Sequence, residues 1–477
     1  MIEIDDASKI TRNTLFLNIS TIASSILAFI LSVTLAKYLG KVEFGQYTFA
    51  IYFTCLFLVL PDLGLSNLVV REVARDKKIT SKYLSSAVII KAALSVFTFI
   101  LIFMMVNIIN YAQIVKIAVY ILALYIILKS FGSYFISIFM AYEKMGFVAL
   151  LNFLLTLSIL IGVVVAIILK GGLKEVLLSY LVGALIYIIL SFGLIIKKFA
   201  RPKFEIDLVF WKNLMKDSLP FAFFGLFSNL ALNIDVTLLK TIKGDIPTAY
   251  YGVALALTSV FLFIPVNLTT ALFPVFSRLY QSSRESLAKY YEKSFQFLLI
   301  LALPLGMGMS LLADRIILLV YGHKYLASSG SVQILAWSFA LMFLISLVSI
   351  LLPTTNRQKT ATIVIFWGLI LNIILNLILI PRFSYLGASL ARLITIILLF
   401  IVYFYIISKN IHRLNLIKIG IRPVLATLLM AGFIQLFKNI NLFLLIILAI
   451  FVYFFILILL KTLTFRDIRL LGKIFKK

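Results

Sequence analysis

Three cations and two carboxylates stand inside runs that are otherwise apolar, and these are the residues best placed to do chemistry. Lys129, Arg392 and Lys91 are candidates to bind an anionic group such as a phosphate. Asp62 and Asp235 are candidates to hold a proton or a sodium ion, with Asn229 and Asn233 as neutral ligands. A charge at the centre of a membrane helix costs about 2.5–3.5 kcal/mol on insertion scales, so each needs a polar cavity, a partner or a route to the surface. Lys91 has a stem long enough to snorkel to the inner face and Arg392 to the outer face, and each aspartate could instead serve a structural ion pair or helix packing. On one regular helix Asn229 and Asn233 stack a turn apart, whereas Asp235 points roughly the opposite way. A shared cation site therefore needs local unwinding or ligands from a neighbouring helix. Asn152, Asn372 and Asn376 read as bridges between helices. His323 and His412 lack the spacing of a metal site, and there is no P-loop or catalytic constellation. The expectation is a protein without metal, resident cofactor or enzymatic activity, whose energy source would be a proton or sodium gradient.

The elements that position these residues follow from composition. Hydrophobic residues make up 63% of the chain, charged residues 13%, and the mean hydropathy is +1.13. A soluble chain is about half apolar and about a quarter charged, so the solvent here is lipid. Runs of roughly 20 apolar residues, enough to cross a core of about 30 Å, fall near 14–36, 46–70, 83–107, 115–138, 147–169, 175–196, 217–239, 248–273, 294–313, 330–352, 362–380, 386–408, 420–437 and 442–460. They are continuously apolar rather than alternating, which predicts about 14 transmembrane helices in an all-α integral membrane protein rather than a barrel. The segment Met1 to Asn13 carries Glu3, Asp5 and Asp6 instead of a basic leader, so the first run is kept as a span. Cys55 is the single cysteine, which excludes an intrachain disulfide.

With both termini in the cytoplasm, the inner segments hold 30 of the 44 Lys and Arg and the outer loops 11. The positive-inside rule fixes that orientation, in a multi-pass protein of the cell membrane. The net charge of +26 is dispersed over eight short inner segments, so membrane lipids rather than nucleic acid are its partner. Two basic amphipathic stretches, Phe204 to Lys216 and the tail from Phe465 to Lys477, are expected to lie on anionic lipid.

The chain also repeats itself. Val33-Thr34-Leu35-Ala36-Lys37 matches Val236-Thr237-Leu238-Leu239-Lys240, Tyr47 matches Tyr251, Pro61 matches Pro265, and Lys82-Tyr83 matches Lys289-Tyr290. The offset drifts from 203 to 207, as duplication with small insertions leaves it. Equivalent helices are six apart and run the same way. This predicts two six-helix lobes, 1–200 and 201–408, related by a pseudo-twofold axis along the membrane normal, with 409–477 adding two helices and a basic cytoplasmic tail. Pro61 and Pro265 each fall in the second helix of a half, where proline removes a backbone hydrogen bond, and are the candidate hinges.

The spaced pattern Lys37-Tyr38-Leu39-Gly40, Glu43-Phe44-Gly45-Gln46-Tyr47, Asp62-Leu63-Gly64-Leu65 and Arg71 resembles the polysaccharide-exporter (Wzx-like) flippases. Tyr321-Gly322 with Tyr325, and Pro381 followed by Gly387-Ala388, extend the likeness over nearly the whole chain. That branch shares a superfamily, the multidrug/oligosaccharidyl-lipid/polysaccharide (MOP) superfamily, with the multidrug extruders and the lipid II flippases. The resemblance implies a lipid-linked oligosaccharide on a polyprenyl diphosphate, turned from the inner to the outer leaflet by alternating access, with other glycan-assembly proteins as partners. Lys129 and Arg392, with Lys91, would then meet the diphosphate. The alternative is a cation-coupled antiporter of organic cations like the multidrug extruders, which would want carboxylates and aromatic surfaces. A membrane-embedded glycan polymerase would need an outer loop longer than any present.

Overall fold

An apolar run in lipid must satisfy its own backbone hydrogen bonds, and this chain does so with helices alone among the described residues. The computed structural model describes residues 4–199, 207–355 and 357–462. The amphipathic tail from Phe465 and the start of the Phe204 to Lys216 stretch lie outside them. The chain divides into two compact units, Met1–Gly252 and Val253–Lys477. The first carries α1 (Ile4–Cys55), α2 (Leu65–Arg75), α3 (Thr80–Ile108), α4 (Gln113–Ala141), α5 (Met145–Ile168), α6 (Leu173–Lys198), α7 (Leu208–Lys243) and the start of α8 (Asp245–Ser259). The second carries α9 (Phe263–Ser282), α10 (Arg284–Leu311), α11 (Ala313–Val320), α12 (Ser328–Thr354), α13 (Gln358–Asn410), α14 (Leu416–Leu436) and α15 (Leu442–Leu459).

Among the described residues, twelve helical stretches are long and apolar enough to cross a membrane. α1 and α13 run for 52 and 53 residues. At about 1.5 Å per residue that is more than twice a bilayer core, so each must turn within its length. The turn in α1 is at Gly40, with φ 73°, where the missing Cβ makes a left-handed backbone inexpensive. The same role falls to Gly244, φ 85°, between α7 and α8, beside the ion pair of Lys240 with Asp245. In α13 the turn falls at Ser384, φ 53°, and Gly387 makes it possible: a Cβ there would lie 2.3 Å from the Leu379 carbonyl oxygen.

The second predicted span is not one kinked helix. Helix α1 stops at Cys55, and Leu56 to Gly64 forms a run of turns whose backbone bonds are mostly of the i to i+3 kind, such as Phe57 to Thr54 and Asp62 to Val59. Pro61 has no N–H to give, and Leu63 and Gly64 take positive φ values of 41° and 80°, so three departures within four residues defeat the helix. Around Pro265 the disturbance is smaller. A single 3-10 turn, Val260–Leu262, joins α8 to α9, and Pro265 sits in the first turn of α9, where its missing N–H costs nothing.

Within the first unit α4 packs on α6, α5 on α6, and α1 on α4 and α5. Leu65, Leu68, Ile90 and Leu214, with Phe210 and Trp211 against them, clamp the start of α7 onto α2 and α3. Within the second unit α10, α12 and α13 enclose a core of Tyr291, Phe295, Leu298, Leu347, Leu351 and Tyr403. Helices α14 and α15 dock on α10 through Met430, Leu445 and Tyr453, whose hydroxyl donates to the Ile300 carbonyl at 2.7 Å.

Candidate functional site

Helix α4 places two polar residues side by side, Lys129 and Ser130, and each faces a different cluster. Consecutive helical residues point about 100° apart, so one helix serves both.

On the first face Lys129, partly buried, stands 5.8 Å from the centre of the Tyr125 ring, with Tyr187 and Cys55 as its further electrostatic neighbours. Tyr187 approaches so closely because α4 has a glycine opposite it: a Cβ on Gly132 would lie 2.2 Å from the Tyr187 ring. The Tyr187 hydroxyl donates to Asn152 Oδ1 at 3.0 Å, tying α5 to α6. The rings continue outward: Tyr125 meets Tyr180 edge-on at 5.3 Å, and Tyr180 shares a 2.5 Å hydroxyl contact with Tyr47 of α1. No carboxylate pairs with Lys129 among the described residues; the groups acting on it are the phenols of Tyr125 and Tyr187 and the Cys55 thiol. Such a setting leaves the ammonium free to attract an anion.

On the second face the situation is reversed. Lys91 of α3 is 0% exposed, and its Nζ donates to Asp62 Oδ1 at 2.5 Å and to Ser130 Oγ at 2.7 Å. The rings of Phe131 and Tyr134 lie 5.9 and 5.6 Å from the ammonium. Asp62 belongs to the broken stretch, and its carboxylate also accepts from Ser66 Oγ at 2.6 Å and Ser66 N at 3.2 Å, capping the first turn of α2. Lys91 and Asp62, read from the sequence as separate candidates, thus form one ion pair.

The candidates on α7 separate into two groups. Asn233 Nδ2 donates to both the carbonyl and Oδ1 of Asn229, at 2.7 and 2.5 Å. Asp235 is 0% exposed and accepts from the Tyr251 hydroxyl at 2.5 Å and from Val236 N at 2.9 Å. In the second unit Arg392 is 6% exposed and lies 5.7 Å from the centre of the Phe339 ring on α12. On α13, Asn376 Nδ2 donates to Asn372 Oδ1 at 3.0 Å and Asn372 Nδ2 to Thr395 Oγ1 at 3.3 Å. Tyr125, Tyr180, Tyr187 and Ser130 were not singled out in the sequence. The one signal available for them is the helical spacing of hydroxyl-bearing residues toward Lys129, which a tyrosine-rich membrane protein repeats in many places.

Comparison with known proteins adds context. The polysaccharide biosynthesis protein family matches residues 10–280, and the MatE family matches residues 220–378. A probable low-salt glycan biosynthesis flippase of Haloferax volcanii is 24% identical over 90% of both chains. An uncharacterised membrane protein of Methanocaldococcus jannaschii is 23% identical over 84% of both. Among solved structures, a lipid II flippase in an inward closed conformation superposes with a TM-score of 0.79 at 20% identity, covering 95% of this chain and 99% of that one.

Proposed function

The chain belongs to the polysaccharide biosynthesis protein family, within the MOP superfamily, and on that premise we propose that it is a flippase for an oligosaccharide linked to a polyprenyl diphosphate. The observation that carries the proposal is Lys129: a partly buried ammonium in a membrane interior, bordered by tyrosines and without a carboxylate among the described residues. An organic cation would be repelled there, whereas a diphosphate would receive a charge-assisted hydrogen bond in a medium that strengthens it. The glycan flippase of Haloferax volcanii and the lipid II flippase fold support a lipid-linked glycan as the substrate class. Arg392, buried in the second unit, is the second candidate for contact with the phosphates.

In this reading the protein lies in the cell membrane with both termini cytoplasmic and moves its substrate from the inner to the outer leaflet by alternating access, flexing at the interruptions beside Pro61 and Pro265. Asp235, buried with the Tyr251 hydroxyl, is the candidate for coupling to a proton or sodium gradient, and the Asn229–Asn233 pair stands apart from it. Proteoliposomes loaded with a labelled polyprenyl-diphosphate oligosaccharide and, separately, a fluorescent organic cation test the proposal. Glycolipid translocation without cation uptake is the expected result; cation uptake alone would replace the flippase reading with the antiporter.

A further inference from the structure

We propose that the carboxylate of Asp62 is a stand-in for the substrate's own anion: Lys91 is a second phosphate-binding cation, masked by Asp62 in this state and exchanged onto the diphosphate during transport. The inference rests on the flippase reading and adds to it a named exchange between two acids on one ammonium.

The two partners of the ion pair sit on supports of unequal stiffness. Lys91 and its second acceptor, Ser130, belong to the uninterrupted helices α3 and α4, whereas Asp62 belongs to the turn-only stretch Leu56 to Gly64. When the pair opens, the acid is the partner that moves. Separation also leaves neither group bare. Lys91 keeps Ser130 Oγ at 2.7 Å and the faces of Phe131 and Tyr134, and Asp62 keeps the hydroxyl and amide of Ser66 at the head of α2. A buried pair whose members each have a fallback partner is built to open at low cost, because the penalty for breaking such a pair lies mostly in the charge left alone.

Location supplies the trigger. The broken stretch begins after Cys55, an electrostatic neighbour of Lys129, and runs to Asp62 at Lys91. An anion drawn to Lys129 therefore arrives at one end of the segment whose other end masks Lys91. Asp62 is also the accessible partner, 21% exposed against 0% for Lys91, so an entering anion meets the carboxylate before the ammonium.

Isothermal binding of farnesyl diphosphate to the detergent-solubilised full chain, with farnesol as the uncharged control, tests this. Asp62→Asn is expected to bind the diphosphate about tenfold more tightly, the scale of one charge-assisted hydrogen bond, with farnesol binding unchanged. The double variant Asp62→Asn/Lys91→Met carries no unpaired charge and is expected to bind the diphosphate several-fold more weakly than the natural chain. It carries the test alone if Asp62→Asn fails to accumulate. Diphosphate affinity equal to that of the natural chain in these variants, together with a loss in Lys129→Ala, overturns the exchange and leaves the flippase reading standing. A natural chain that binds farnesyl diphosphate no better than farnesol overturns both.

Discussion

At position 91 the first unit buries a lysine, and at the aligned position of the internal repeat, 298, the second unit buries a leucine; Asp62 likewise aligns with Val266. Around Leu298 the neighbours are Tyr291, Phe295 and the half-buried Phe400 and Phe404, an apolar core with stacked rings. Around Lys91 they are Asp62, Ser130 and Tyr134. The two halves share a glycine turn before the second helix and a proline within it, yet only the first half breaks that helix over nine residues, from Leu56 to Gly64. The second half shows that an apolar residue fits the place of Lys91 in the fold, while Val266, at the place of Asp62, is exposed and lies outside that core. The ion pair is therefore best understood as a device that acts, and the buried leucine as a residue that holds.

The sharpest way to break this comparison is to make the halves alike. Lys91→Leu alone leaves the Asp62 carboxylate with Ser66 but no cation, and a drop in melting temperature is expected, smaller than for a fully buried charge left bare. Adding Asp62→Val removes the carboxylate left without its cation and should bring the melting temperature back toward the natural value, while glycolipid translocation stays lost. Recovery of translocation in that double variant would reduce the ion pair to scaffolding. Leu298→Ala, the matching lesion in the holding half, should cost about 2–5 kcal/mol through the cavity it leaves, with the surviving folded protein still able to transport.

Smaller effects sharpen the picture. Tyr187→Phe removes the hydrogen bond to Asn152 and should cost about 1 kcal/mol, with a reduced translocation rate because the ring also borders Lys129. The smallest effect concerns Asp207, which caps α7 and pairs with Lys82 at 2.8 Å. The Lys82 ammonium and the Phe210 amide beside it hold its carboxyl below the ordinary value of 3.8. The folded-state value is depressed, so the contribution is full above the ordinary carboxylate range and disappears as pH falls through the lowered value. Asp207→Asn should therefore lower the melting temperature slightly at pH 7, with the difference from the natural chain vanishing as pH falls through the lowered value.

Much of the fold was legible because lipid imposes one rule on every span: an apolar run of about twenty residues becomes a helix. Gly40 and Gly244 were not read as turns in the sequence, although each works as one through the absence of a Cβ. Nor was Ser384, since nothing about a serine announces a left-handed backbone; Gly387, three residues on, supplies the space. Pro61 pointed to a disturbed second helix but not to its extent, which depends on Leu63 adopting φ 41° beside Gly64. The buried charges stood out by their cost in a membrane. Their partners did not: Lys91 and Asp62 are 29 residues apart, and their meeting is a product of how α3 and the broken stretch pack. The place of Cys55 near Lys129 follows from where α1 ends rather than from its own chemistry.

In the proposed function Lys129 is the residue on which glycolipid translocation most directly depends. Translocation of a labelled polyprenyl-diphosphate oligosaccharide should be measured in proteoliposomes holding equal amounts of the natural chain and of Lys129→Ala, each checked for its melting temperature. The expected result is a folded variant of near-natural melting temperature that has lost translocation. A Lys129→Ala variant that translocates the glycolipid at the natural rate would contradict it.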